Sequence, residues 1–318
     1  MTRDLVIIGA GMAGLACARR LQDAGHAPLV LDKGRGIGGR MATRRVARDA
    51  GELRFDHGAQ YVTARDPRFA ALLRTLAAQG ATAQWHIDGG ARIVGLPGMS
   101  GLPAALAQGI EMRRETEVTA LTQSEGGGWL LDTTGGRIAA RRLVVAIPAP
   151  QAAALLGDHP LAQKLAHIVL APCLTLMAAF PSDTPRPFTT ATSATHPLAW
   201  IAQDSSKPGR PDGAACWVAQ ASPDWSARHL EQDRDSLAAR MLPLLAERLG
   251  TRPGAALHAS AHRWRYARVT TALDAPFLCD ARGDLHLGGD WCLGARVEAA
   301  WQSGDAIARA LLQQEAPG

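Results

Sequence analysis

The chain has 318 residues, 47% of them hydrophobic and 20% charged, with a formal net charge of +5. That length suits two domains, or one domain with a large insertion, and the composition excludes a disordered, collagenous or coiled-coil chain. All but three of the 34 basic residues are arginines, and no basic block reaches the length of a nucleic-acid arm, so no nucleic-acid partner is expected.

Leu5–Ile8 is a continuously apolar run, the pattern of a strand buried on both faces. Gly9-Ala10-Gly11-Met12-Ala13-Gly14 follows, then a helical stretch to Ala24 stopped by Gly25. Pro28–Leu31 reads as the second strand, with Asp32 at its carboxyl end. The segment Leu5–Ala18 also has the outline of a secretory leader. Arg3 and Asp4 cancel before it, however, and three glycines stand where a leader carries leucine, so it is read as part of the fold.

Gly34, Gly36, Gly38 and Gly39 lead into Arg40, and Pro97–Ser100 precedes a helix ending near Gly109. Thr116–Gln123, Trp129–Thr133 and Arg137–Ala140 alternate apolar with polar residues between glycine clusters, which predicts a three-stranded antiparallel meander. Leu143–Ile147 is a further buried strand. From about 160 the texture changes: strands are predicted at Cys173–Phe180, Ala199–Ala202, Cys216–Ala221 and Leu257–Ala261. One long helix is predicted after Ser222-Pro223, running to Leu249. The last block returns to the first texture, with Leu285–Leu287, Gly288-Gly289-Asp290 and a helix from Val297 to Leu312.

The layout is an α/β protein. A Rossmann-like nucleotide-binding domain with a β-meander takes residues 1–60, 95–158 and 275–318. An inserted α+β substrate domain with a mainly antiparallel sheet takes 61–94 and 159–274.

Gly9, Gly11 and Gly14 have the spacing of the dinucleotide fingerprint. The first permits the tight turn, the second lets a pyrophosphate approach the backbone, and the third lets helix and strand pack closely. Asp32 is placed to accept hydrogen bonds from an adenosine ribose. Gly38-Gly39-Arg40 would bring a second set of N–H groups and a guanidinium to the same pyrophosphate. Together these resemble the FAD-binding signature of the amine-oxidase and glutathione-reductase-like flavoproteins. Gly288-Gly289-Asp290-Trp291 with Val297 and Ala300 is similar to their second motif. There the aspartate holds the ribityl chain, and a helix N-terminus stabilises negative charge on the reduced flavin.

Three further stretches resemble the renalase-like oxidases: Phe55–Tyr61, Trp200–Arg210 and His262–Ala267. The resemblance implies non-covalent FAD, held by the glycine motifs with Met12, Ala13, Lys33, Gly58, Ala59, Gln60, Val118, Asp290 and Arg296. It further implies hydride transfer from 2-dihydro-NAD(P) to the flavin, O2 as the final acceptor, and H2O2 and β-NAD(P)+ as products. Gln60, Trp264 and Trp291 are the candidate catalytic residues, and Arg210, Arg263, Arg265 and Tyr266 the candidate substrate-binding ones. An amine oxidase and a non-catalytic nucleotide sensor are the rival readings. Only Lys164 and Lys207 remain as candidates for the lysine that many amine oxidases keep near the flavin.

Other chemistry finds no support. The five cysteines are scattered, without a Cys-x-x-Cys pair, so neither a disulfide framework nor a zinc site is expected and a reducing, cytoplasmic compartment is. No histidine spacing suits a metal, no Gly-x-Ser-x-Gly elbow occurs, and no apolar run is long enough to span a membrane.

Overall fold

The computed structural model describes residues 2–49, 51–87 and 89–315. Val6, Ile7 and Ile8 are buried because Thr2–Ile8 is an interior strand of an eight-stranded sheet. Along that sheet the order is Leu278–Cys279, Leu285–Leu287, Gly136–Val145, Thr2–Ile8, Leu29–Leu31 and Glu111–Arg113. All neighbours are parallel except the first pair. The parallel strands end together at Ile8, Leu31, Val145 and Leu287, and the crevice beyond such ends is where open α/β sheets take ligands.

The meander forms as read, with Val118–Gln123 on Trp129–Thr133 and the latter on Gly136–Val145. Its third strand does not stop, however. The two runs 137–140 and 143–147 merge into one ten-residue strand, Gly136–Val145, whose residues 136–140 pair with the meander and whose residues 139–145 pair with Thr2–Ile8.

A second, five-stranded antiparallel sheet runs Thr190–Thr192, Leu198–Gln203, Ala215–Ala221, Val169–Phe180 and His258–Thr271. The single helix expected after Ser222 is two. Ser222 caps Pro223–Arg228, and Asp233 then caps Arg234–Leu249 by accepting from the Ser236 N–H at 2.9 Å. A new N-cap restarts the chain because four orphan N–H groups need an acceptor.

The hairpins Thr43–Arg48/Gly51–Asp56 and Thr82–Ile87/Gly90–Gly95 and the helix Pro67–Ala78 were not anticipated. Phe69, Leu73, Leu76 and Trp85 from 61–94, grouped with the substrate half on sequence, share one buried cluster with Ile7 and Leu15. Helices Met12–Asp23 and Val297–Glu315 pack against each other, uniting the two ends of the chain under the sheet. No described helix is long and apolar enough to cross a membrane.

Candidate active site

Gly9 leaves its strand at φ +107°, and a Cβ on Gly14 would stand 2.0 Å from the Gly9 carbonyl oxygen. The turn and the close helix–strand approach therefore both require glycine. Gly11 faces open space. It caps helix Met12–Asp23 without a side-chain hydrogen bond, and the first turn carries no acid. The N–H groups of that turn, including those of Met12 and Ala13, are left for an anion.

Asp32 fastens this turn from behind, its carboxylate accepting from the N–H groups of Ala10 and Gly34, each at 2.7 Å. A carboxylate has about four lone-pair positions, so capacity for a ribose remains. Gly38 donates to the Ala10 carbonyl at 2.8 Å, bringing the second glycine stretch onto the first. Lys33 lies beside them, 3.6 Å from Glu117.

Arg40 does not point free into this space. Its guanidinium grips Asp290 through two bonds of 2.6 and 2.8 Å and donates to the Ala267 carbonyl at 3.1 Å. A bidentate arginine–carboxylate pair is strong and directional. This one joins residues 250 positions apart, at the glycine stretch and at the start of the C-terminal motif. Arg296, paired with Glu298 at 3.0 Å, precedes Val297 and Ala300 on the helix that follows.

A cavity of about 2260 Å³ runs along these features. Its wall takes in Gly9, Gly11, Asp32, Gly38, Gly39 and Arg40 at one end, then Gly58, Ala59 and Gln60, with Val118, Asp290, Val297 and Ala300 beside them. Ligand pockets commonly hold ~300–1,000 Å³, so a dinucleotide fits with room for a second molecule. Orphan helix N–H groups, a cavity-wall carboxylate with acceptor capacity to spare and backbone that approaches closely together match the shape and charge of FAD. Cys292 lies buried off this wall, its thiol pushed up to about 12 by burial, which agrees with a non-covalent cofactor.

Beyond Gln60 the wall turns aromatic. Trp264 donates its indole N–H to the His57 carbonyl at 2.8 Å, stacks on the His57 ring at 5.2 Å, and meets His262 at 4.2 Å. Burial, aided by Arg44, holds His57 at about 4; burial, aided by His57 and Arg234, holds His262 at about 3. Both imidazoles are therefore neutral at neutral pH. Burial also lowers His286 to about 4. Because these folded values lie below the ~6.5 of a free imidazole, the unfolded chain binds more protons between them. Stability should accordingly fall as pH drops from about 6.5 to about 4. Denaturant midpoints across that window test this: the His57→Gln/His262→Gln double variant should flatten the slope, and a flat wild-type profile would remove the neutral pair.

Two sequence assignments are corrected. Trp291 is fully buried in the sheet core, its indole N–H on the Ile147 carbonyl at 3.0 Å, and contributes nothing to the cavity wall. Arg210 is also buried and lies off that wall. It bonds Asp56 and donates to the carbonyls of Pro97 and Pro208, both at 2.9 Å. Its charge is consumed inside the protein. Arg263, Arg265 and Tyr266 do reach the cavity, although Arg263 donates to the Leu230 carbonyl at 2.6 Å and Arg265 is clasped by Glu231.

Sequence reasoning missed a buried cluster behind Gln60. Lys207 Nζ donates to Asp204 at 2.6 Å, to Asp56 at 3.1 Å and to Gln60 Oε1 at 3.3 Å, with none of its side chain exposed. Burial alone would raise Asp56, but Lys207 and Arg210 outweigh it and hold the carboxyl at about 2. For Asp204 burial prevails over Lys207, and its carboxyl lies above the ordinary range. The available signal was rarity: Lys207 is one of three lysines in an arginine-dominated chain. Arg44, Arg45, Arg92 and Arg234 on the cavity wall were missed as well; the only sequence signal is that Arg44 and Arg45 are adjacent. Among the described residues no group of histidine, cysteine or carboxylate side chains is set to hold a metal.

Comparison with known proteins agrees with this geometry. Residues 7–76 match the NAD(P)-binding Rossmann-like domain, and residues 77–312 match the flavin containing amine oxidoreductases. A protein named as a flavin-containing monoamine oxidase, AofH, of Mycobacterium tuberculosis is 52% identical over 46 residues, 14% of this chain and 10% of that protein. An L-amino-acid oxidase of Echis ocellatus is 45% identical over 47 residues, 15% of this chain and 9% of that protein. The matches thus span about a tenth of those curated relatives.

Among solved structures, one described as a protoporphyrinogen oxidase from Exiguobacterium superposes with TM-score 0.79 at 14% identity, covering 99% of this chain and 100% of that one. Cyclohexylamine oxidase from Brevibacterium oxydans gives 0.73 at 15%, covering 99% of each chain. At such identities the likeness is one of fold. The family match over residues 77–312 does more, for it takes in the Asp290 motif that closes on the glycine turn: this chain belongs to the flavin containing amine oxidoreductases.

Proposed function

We propose that the protein is an FAD-dependent oxidase of an isomeric dihydronicotinamide dinucleotide, 2-dihydro-NAD(P). The substrate loses a hydride and leaves as β-NAD(P)+, while O2 gains that hydride and one proton to become H2O2. Bound FAD supplies the two-electron acceptor between them. Loss of hydride from a dihydropyridine directly yields an aromatic pyridinium, so the protein's work is positioning rather than proton removal. Gln60 and Trp264 are the residues assigned to orient the reacting ring, with the neutral His57 and His262 beside Trp264 adding no positive charge against the forming cation.

One observation carries the choice of substrate. The carboxylates on the cavity wall are Asp32, Glu117 and Asp290, all near the two glycine motifs or the meander. The rest of the wall carries Arg44, Arg45, Arg92, Arg234, Arg263 and Arg265. Only the last two are paired with a carboxylate among the described residues, and both use Glu231. Such a field draws in a pyrophosphate and repels an ammonium ion. The rival reading, oxidation of a small amine, is favoured by the family and by structural neighbours described as putrescine and cyclohexylamine oxidases.

Anaerobic mixing of the yellow FAD-loaded protein separates the two. Bleaching by 2-dihydro-NAD, and not by primary amines or ordinary NADH, is the expected result. The rate at low substrate should also drop about 3–10-fold as ionic strength rises from about 0.02 to about 0.3 M. Bleaching by an amine alone would overturn the reading.

A further inference from the structure

Tyr61 and Trp200 form one aromatic corner of the cavity, their ring centroids 5.9 Å apart and tilted by 58°. Tyr61 directly follows the Gly58–Gln60 loop. Its neighbour Val62 pairs with Ile93 through an antiparallel bridge, which brings Arg92 alongside, the guanidinium carbon 5.5 Å from the Tyr61 ring centre. Trp200 arrives from a different sheet, on strand Leu198–Gln203.

Two donors in this corner are unmet. Among the described residues Trp200 Nε1 and Arg92 Nε are both buried with no hydrogen-bond partner, and the one hydrogen bond the Arg92 side chain makes is to the Ala91 carbonyl at 3.2 Å. Buried donors without acceptors are costly, so a protein that keeps two of them beside a cavity is suited to a ligand that brings the acceptors. A flat aromatic face next to a guanidinium fits a heteroaromatic base carrying a phosphate. A small amine offers neither group.

We infer that Tyr61, Trp200 and Arg92 form a subsite for the half of the substrate that does not react, an adenine-like base with its phosphate. The inference rests on the dinucleotide reading above and extends it. The base lies against the Trp200 and Tyr61 rings, the indole N–H meets an acceptor atom of the base or its ribose, and Arg92 takes a phosphate oxygen. The corner then determines specificity: it favours a dinucleotide over the mononucleotide carrying the same reactive ring.

The test uses the FAD-loaded protein and the variants Trp200→Phe and Arg92→Gln, with Arg74→Gln on an exposed helix face as a charge control. Two readouts are compared: kcat/KM for 2-dihydro-NAD against the matching dihydro-mononucleotide, and calorimetric binding of ADP-ribose to the oxidised protein. Each corner variant should lower the dinucleotide preference about 10-fold, mainly through KM, and weaken ADP-ribose binding in step, while the control does neither. An unchanged preference in both variants, or wild-type ADP-ribose affinity in both, would overturn the subsite. Should no dihydropyridine reduce the flavin, the dinucleotide reading fails by itself. ADP-ribose binding then still decides the subsite: binding that both variants lose upholds it, and no binding to wild type ends it.

Discussion

Lys207→Met should destabilise the folded protein by about 3–5 kcal/mol, the usual cost of stripping one partner from a buried ion cluster. Two cations, Lys207 and Arg210, face two carboxylates, Asp56 and Asp204, and none of the four side chains is more than 1% exposed. With both carboxylates ionised the cluster is neutral. Without Lys207, Asp204 keeps the Asp56 N–H at 3.2 Å but, among the described residues, no cation nearer than the Arg210 Nε at 3.7 Å, and a buried negative charge is left uncompensated.

Asp204 is already raised by burial, and losing Lys207 raises it further. A folded-state value above the unfolded one gives stability that is present at low pH and lost as pH rises through it. The variant's deficit against wild type should therefore narrow as pH falls. Denaturant unfolding at several pH values measures this, and Lys207→Met/Asp204→Asn should recover most of the loss by restoring neutrality. Cofactor retention should fall in the single variant as well, since Lys207 anchors Gln60 on the cavity wall. A loss below about 1 kcal/mol, typical of exposed pairs, would show that the cluster does not act as one neutral unit.

Gly304→Ala should weaken the protein at its deepest helix contact. A Cβ there would lie 2.0 Å from the Ala13 carbonyl oxygen and 2.8 Å from its carbon. Backbone cannot yield as a flexible side chain can, so helix Val297–Glu315 must move away from Met12–Asp23. Overpacking of this kind costs about 1–3 kcal/mol. The same shift disturbs both ends of the proposed cofactor cradle, and FAD affinity should drop about 10-fold or more. Fluorescence titration of the apoprotein with FAD, alongside thermal unfolding, measures both. Gly254→Ala, where a Cβ meets nothing within 4 Å, should stay within about 0.5 kcal/mol of wild type. If the two substitutions behave alike, close helix packing is not what holds the cradle.

The errors in the sequence reading share a cause. Arg210 and Trp291 suit a pyrophosphate and an aromatic wall by residue type alone, which is what points to them in the sequence. Both are instead satisfied internally, Arg210 by an aspartate 154 positions away and Trp291 by a carbonyl 144 positions away. Arg40, expected at the pyrophosphate, does line the cavity, but it is also held by a carboxylate partner 250 positions distant. A residue's chemistry is local, whereas whether that chemistry is already spent depends on what the fold brings against it.

What the chain's own order of residues determined was the set of local devices. The Gly9–Gly14 turn, Asp32 at a strand end, the Gly38-Gly39-Arg40 stretch and the Asp290 motif before a helix each follow from backbone geometry and hydrogen-bond capacity within a few residues. The family likeness was legible for the same reason. Tertiary structure alone decided which charges remain available. It buried Lys207, Asp204, Asp56 and Arg210 as a neutral knot, turned Arg40 onto Asp290, and left Arg44, Arg92 and Arg234 without a carboxylate partner among the described residues. Pairing between charges is a through-space property with no sequence period, so only the folded chain could sort the arginines that hold the protein together from those left to meet a substrate.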